Sequence, residues 1–269
     1  MTDNSQTAQW IRDRLALYEE LHATGRQGLK ADAIVKARQS FAVVDGEFKP
    51  QPYRFPTEND AVGLVCAALP PAFAHVCRVV GEELVAVLPR GANGEPSGYP
   101  NDEKTMHMTL FHTSHPDDLV PNARHRVGES IATVRRLAAS LAPFDLRPHR
   151  VVMCSSGAII LLYEAAVEDA SQDPCTVDRL RLMAKEAFAP QFPTRQSKSI
   201  MHTTLARVLD PHVSADVVER LHRACEELTT RLRRDHERIH IDNLWFVDET
   251  HHYWAYGETT VLPLGSSVA

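Results

Sequence analysis

Two five-residue segments of this chain, Met106-His107-Met108-Thr109-Leu110 and Met201-His202-Thr203-Thr204-Leu205, nearly repeat each other. In an extended strand successive side chains alternate faces. Each segment then sets a histidine and a threonine two positions on along one face, and turns Met108 and Leu110, or Thr203 and Leu205, to the other. A fold that holds both as strands buries one face of each and leaves the other to line a groove. If the two strands meet, that groove holds two proton-transfer groups and two hydroxyl donors, a set suited to in-line chemistry on a phosphate ester.

The rest of the chain is compatible with such a groove. With 269 residues and 43% hydrophobic content it is long enough for one large or two small cored lobes. A formal net charge of −6 argues against a protein that holds long nucleic acid by its backbone, which needs a basic surface, but leaves room for a small or terminal phosphate. The five cysteines, Cys66, Cys77, Cys154, Cys175 and Cys225, are scattered and form no C-x-x-C pair, so neither a disulfide framework nor a zinc knuckle is expected. Residues 1–10 are polar, and no stretch reaches the ~20 apolar residues of a spanning helix, which reads as a soluble cytoplasmic protein with no membrane partner.

Along the chain, the spacing predicts helices over residues 6–22 and 31–41, and a third after Thr57 with Thr57 as its cap. Leu84-Val85-Ala86-Val87-Leu88, closed by Pro89, reads as a short buried strand. Strand character is expected at 106–111, 146–153, 158–163, 200–208, 238–247 and 252–262, with helices over 127–141, 173–188 and 214–234. The expected architecture is α+β, with residues 1–82 a helical extension packed on a bilobal domain of residues 83–269. In that domain two pseudo-symmetric lobes would line a central cleft with antiparallel sheets and carry their helices outside.

With 14 histidines in the chain, any single one is weak grounds for a site; the pairing of His107 and His202 with Thr109 and Thr204 is what singles these out. A metal site is the competing chemistry, because His107, His112 and His115 cluster and His251-His252 could add ligands. Strict alternation, however, puts His107 and His112 on opposite faces, and no H-E-x-x-H is present. No G-x-S-x-G elbow, Walker loop or G-x-G-x-x-G occurs either.

At these residues the chain resembles the two-histidine (2H) phosphoesterase superfamily, marked by two copies of His-x-Thr/Ser-hydrophobic on strands in two related lobes. His107-Met108-Thr109-Leu110 matches in full, and His202-Thr203-Thr204-Leu205 departs only in carrying a hydroxyl at the spacer. The resemblance spans about residues 83–262. It implies an enzyme that opens 2′,3′-cyclic or 2′,5′-linked phosphoesters of nucleotides or RNA ends, without metal or other cofactor. His107 and His202 would be its acid/base pair, and Thr109 and Thr204 would bind the phosphate oxygens. Lys104, Arg195, Lys198 and Arg207 are candidates for cationic help, and Tyr253 and Trp254, expected on the last strand, for stacking a base. Two other readings stay open on the residues: a non-catalytic module that binds nucleotides or RNA ends, and a metal-dependent hydrolase using the clustered histidines.

Overall fold

The computed structural model describes residues 4–91, 94–113, 124–167, 173–189 and 200–265. Helices α1 (Asn4–Arg26) and α2 (Ala31–Arg38) lead into a hairpin of β1 (Phe41–Val44) and β2 (Glu47–Pro50). Then come β3 (Val62–Ala68), α3 (Pro71–Ala86), β4 (Gly98–Pro100), β5 (His107–His112) and α4 (Val127–Ala139). The chain continues through β6 (Phe144–Met153), β7 (Ala158–Ala165), α5 (Thr176–Phe188), β8 (His202–Val208) and α6 (Ala215–Asp235). It closes with β9 (Ile239–Ile241), β10 (Asn243–Glu249) and β11 (Gly257–Pro263).

The fold is α+β with antiparallel sheets, as expected. A first lobe is built on the sheet β11-β10-β3-β5 and a second on β4-β8-β7-β6-β9. The lobes are not contiguous halves of the sequence. β4 crosses to the second sheet, and the stretch expected as one strand over 238–247 splits at Asp242, with β9 pairing β6 and β10 pairing β3 and β11. One apolar core runs through both lobes. It joins Val65, Met108 and Phe111 of the first to Leu161, Leu205 and Val208 of the second beneath α3, α4, α5 and α6.

Two local expectations are corrected. Leu84–Leu88 is not a strand: Leu84 completes the buried stripe Phe73, Cys77, Val80, Leu84 of α3, which starts at Pro71, where the missing N–H costs nothing. No helix follows Thr57, whose hydroxyl instead accepts from the Asn59 N–H in a turn; the chain then enters β3. Val62–Ala67 is buried throughout because β3 is an interior strand covered on both faces, so it lacks the alternation that identifies a half-exposed strand. The first lobe's sheet therefore begins at Val62, inside the stretch assigned by sequence to the N-terminal extension, and that stretch also contains the β1–β2 hairpin.

The N-terminal helices are tied closely to the second lobe. Tyr18 of α1 packs with Val152, Ile160 and Leu162, and the hairpin residues Phe41 and Phe48 pack with Tyr99 and Leu209. No helix among the described residues is long and apolar enough to cross a membrane.

Candidate active site

Each histidine strand carries a bulge at the same place. On β5, His107, Met108 and Thr109 pair with Ala68, Ala67 and Cys66; the register then shifts, and Phe111 and His112 pair with Val65 and Leu64. On β8, His202, Thr203 and Thr204 pair with Leu162, Leu161 and Ile160, after which Ala206 and Arg207 pair with Ile159 and Ala158. The extra residues are Leu110 and Leu205. A bulge resets the alternation by one, so the consecutive pairs Leu110-Phe111 and Leu205-Ala206 both turn into the core.

The faces then sort in parallel. His107, Thr109 and His112 share one side of β5, and His202, Thr204 and Arg207 share one side of β8, all six part-buried while the residues between them are fully buried. The expectation that His107 and His112 face opposite ways is thus overturned by the bulge. His112 and Arg207 are equivalent positions in the two lobes. Thr203 faces away from the cleft, as strand alternation required, and accepts a hydrogen bond from the Tyr163 hydroxyl at 2.8 Å.

A buried arginine links the two strands. Arg181 of α5, 6% exposed, donates from Nε to the Leu110 carbonyl at 2.9 Å and from Nη2 to the Thr109 carbonyl at 3.3 Å and the Ile200 carbonyl at 2.7 Å. One guanidinium therefore holds the backbone of the first motif and the segment entering the second. β5 and β8 pack against each other, and the two imidazoles lie within electrostatic reach of one another.

The two histidines differ in surroundings. The Thr105 carbonyl can only accept, so His107 Nδ1 carries the proton in their 2.7 Å hydrogen bond, and Nε2 is left 3.2 Å from the Thr109 hydroxyl. Burial lowers the His107 pKa, and His112 adds to that; the Thr105 carbonyl and the Glu249 carboxylate oppose it. For His202 every influence acts one way. Burial, then the charges of Arg181, His107 and Arg207, push it down to about 3, and its Nδ1 has no hydrogen-bond partner. Both imidazoles are pushed toward the neutral form, His202 the more strongly.

The charges around the two imidazoles also differ in sign, Glu249 acting on His107 and Arg207 on His202. In the first lobe Glu249, 4% exposed, stands 3.6 Å from His112 Nε2 and accepts from the Tyr53 hydroxyl at 3.3 Å. In the second lobe the Arg207 guanidinium lies 4.0 Å over the Tyr253 ring, and its Nε has no hydrogen-bond partner. Tyr253 and Trp254 are in the loop between β10 and β11 rather than on the last strand. Tyr253, at φ +57°, is sandwiched between Arg207 and Phe41, while Trp254 stacks on Tyr256 at 4.7 Å. Lys104 is exposed in the turn before β5, and Arg195, Lys198 and His115 lie outside the described residues. Among the described residues no group of three or more His, Cys, Asp or Glu is arranged to hold a metal ion; His251 and His252 pack instead on Trp254 and Tyr53.

Sequence reasoning missed Arg181, Glu249 and the cleft-facing placement of His112. The doubled apolar pairs after each threonine, which break alternation, are the signal that could have revealed the bulges.

No family model matches the sequence, and no curated protein matches it. Solved structures similar to it include a conserved protein of unknown function from Agrobacterium tumefaciens, at TM-score 0.55 and 15% identity over 88% of this chain and 98% of that one. Others are E. coli LigT complexed with 3′-AMP (TM-score 0.42, 14% identity, 77% and 96% covered) and Kluyveromyces marxianus Usb1 (0.41, 12%, 76% and 98%). The paired, bulged H-x-T-L strands thus sit in two antiparallel sheets of an α+β fold shared with the Agrobacterium tumefaciens protein.

Proposed function

We propose that the cleft is a phosphodiesterase site that opens 2′,3′-cyclic or 2′,5′-linked phosphoesters of nucleotides or RNA ends by histidine acid/base catalysis, with no metal in the chemical step. The observation that carries this reading is the pair of equivalent strands, each offering an imidazole and a hydroxyl to one cleft and both tied to Arg181.

The different surroundings support one division of roles. His202, held neutral by burial and by the cations near it, takes the proton from the attacking water as oxygen bonds to phosphorus. His107, whose pKa burial lowers while the Thr105 carbonyl and Glu249 hold it up, gives a proton to the ribose oxygen as its bond to phosphorus breaks. Thr109 and Thr204 donate to the non-bridging oxygens. Arg207 draws phosphate toward the second lobe and Glu249 repels it from the first, so a nucleotide lies across the cleft in one orientation.

The test is hydrolysis of a panel of 2′,3′-cyclic nucleotides and 2′,5′-linked dinucleotides in EDTA. Each proton transfer contributes ~10²–10⁴-fold, so His107→Ala and His202→Ala should each lose at least ~100-fold in kcat while remaining folded. Binding without turnover would favour a nucleotide-binding module. Activity lost to chelation and restored by zinc would favour a metal hydrolase, and full activity in both variants would refute the assignment.

A further inference from the structure

We propose that Arg181 is a positioning residue that sets the separation of the two imidazoles, and that helix α1 holds it in place through Arg14 and Asp178. The inference rests on the phosphodiesterase reading and adds to it a brace that touches neither substrate nor reacting atoms.

The bulge makes the brace necessary. The extra residue of a bulge is left out of the ladder, so the Leu110 carbonyl needs a partner from elsewhere, and an unpaired buried carbonyl is costly. Arg181 Nε supplies it at 2.9 Å, and Nη2 reaches the neighbouring Thr109 carbonyl and, across the gap, the Ile200 carbonyl two residues before His202. A planar guanidinium fixes the direction of these bonds together, so the strands cannot slide or part without breaking several at once. Nη1 is buried with no hydrogen-bond partner, which fits a group kept for geometry at some cost in solvation.

α1 closes the brace from outside the cleft. Arg14 forms a buried ion pair with Asp178, one turn before Arg181 on α5, so the charge of Arg181 is balanced by a carboxylate that is itself anchored. One turn further along α1, the Tyr18 hydroxyl donates to the Tyr163 carbonyl at 2.9 Å and accepts from the Met201 N–H at 3.1 Å, directly before His202. α1 therefore reaches the second motif through Tyr18 and the Arg181 brace through Arg14. The groups with charge on His202 are Arg181 from α5, His107 from β5 and Arg207 from β8 itself.

Two substitutions separate geometry from charge. Lysine keeps the charge of Arg181 but cannot serve three carbonyls in a fixed fan, so Arg181→Lys should lose about 100-fold in kcat with KM nearly unchanged, as expected for a misplacement of about 1 Å. Its acid limb in the pH–rate profile should stay where it is. Arg181→Met should show a similar loss, and in addition the His202 imidazole should titrate higher by about one pH unit or more, read by ¹⁵N NMR without turnover. Folded variants with kcat within threefold of wild type would overturn the proposal, whatever the His202 titration does. If the methionine variant does not fold, the lysine variant decides by its kcat and KM. A wild-type protein inert on the whole substrate panel would strike down the phosphodiesterase reading instead; the brace would then be decided by the amide resonances of Leu110 and Met201, which should move in Arg181→Lys and would overturn it if unmoved.

Discussion

Acidification should destabilise this protein through His202, and the sign follows from its surroundings. In the unfolded chain the imidazole titrates near ~6.5, whereas in the fold it is pushed down to about 3 by burial and by the charges of Arg181, His107 and Arg207. Below ~6.5 the unfolded chain therefore takes up a proton that the folded chain refuses. The stability associated with a neutral His202 is fully present above that pH and is lost as pH falls toward the folded value. At ~1.4 kcal/mol per unit, the interval from pH 6.5 to 4 corresponds to about 3 kcal/mol at most. Because the residue is only part-buried, about half of that is expected, ~1–2 kcal/mol. The assay is urea denaturation of wild type and His202→Gln between pH 7 and pH 4. Glutamine cannot take up the proton, so the wild type should lose ~1–2 kcal/mol more than the variant across that range. His107, His222 and His251, whose pKa values are also lowered, remain in both proteins and cancel in the difference. Parallel stability curves would refute the reasoning.

Tyr18→Phe keeps the ring but strands the Met201 N–H and the Tyr163 carbonyl in a buried site, which should cost ~2–6 kcal/mol in urea denaturation, at ~1–3 kcal/mol per stranded group. A cost under ~0.5 kcal/mol would mean that both groups find other partners. Gly81 of α3 lies directly on the Leu205 carbonyl, so a methyl group there has no room; Gly81→Ala should destabilise by ~1–3 kcal/mol and shift the amide resonances of Thr204 and Leu205. An unchanged denaturation midpoint would show that the α3–β8 contact is slack.

Much of the site is legible in the sequence because strand alternation is local. His107 with Thr109, and His202 with Thr204, needed only the period of two, and the outward turn of Thr203 followed from it. His112 shows where that rule stops. Its face depends on one unpaired residue, Leu110, and whether a strand bulges is decided by the strand beside it. The run Leu84–Leu88 was ambiguous for a related reason: five apolar residues fit a strand or the end of a helix, and only the packing of Phe73, Cys77, Val80 and Leu84 on one stripe resolves it. β3 was missed because burial on both faces erases the periodicity that would have announced it.

The paired motifs, the alternation that sets each imidazole beside its hydroxyl, and the α+β character can all be read from the order of residues alone. Tertiary structure alone decided which strands share a sheet, since β4 joins the second lobe while β10 and β11 return to the first. It also brought Arg181 and α1 to the motifs, Glu249 near His107 and Arg207 near His202. Alternation and propensity act between neighbours in the chain and can be read from them. Strand exchange, bulge placement and the brace depend on contacts between residues far apart in sequence, such as the 164 positions between Arg14 and Asp178, and those exist only once the chain has folded.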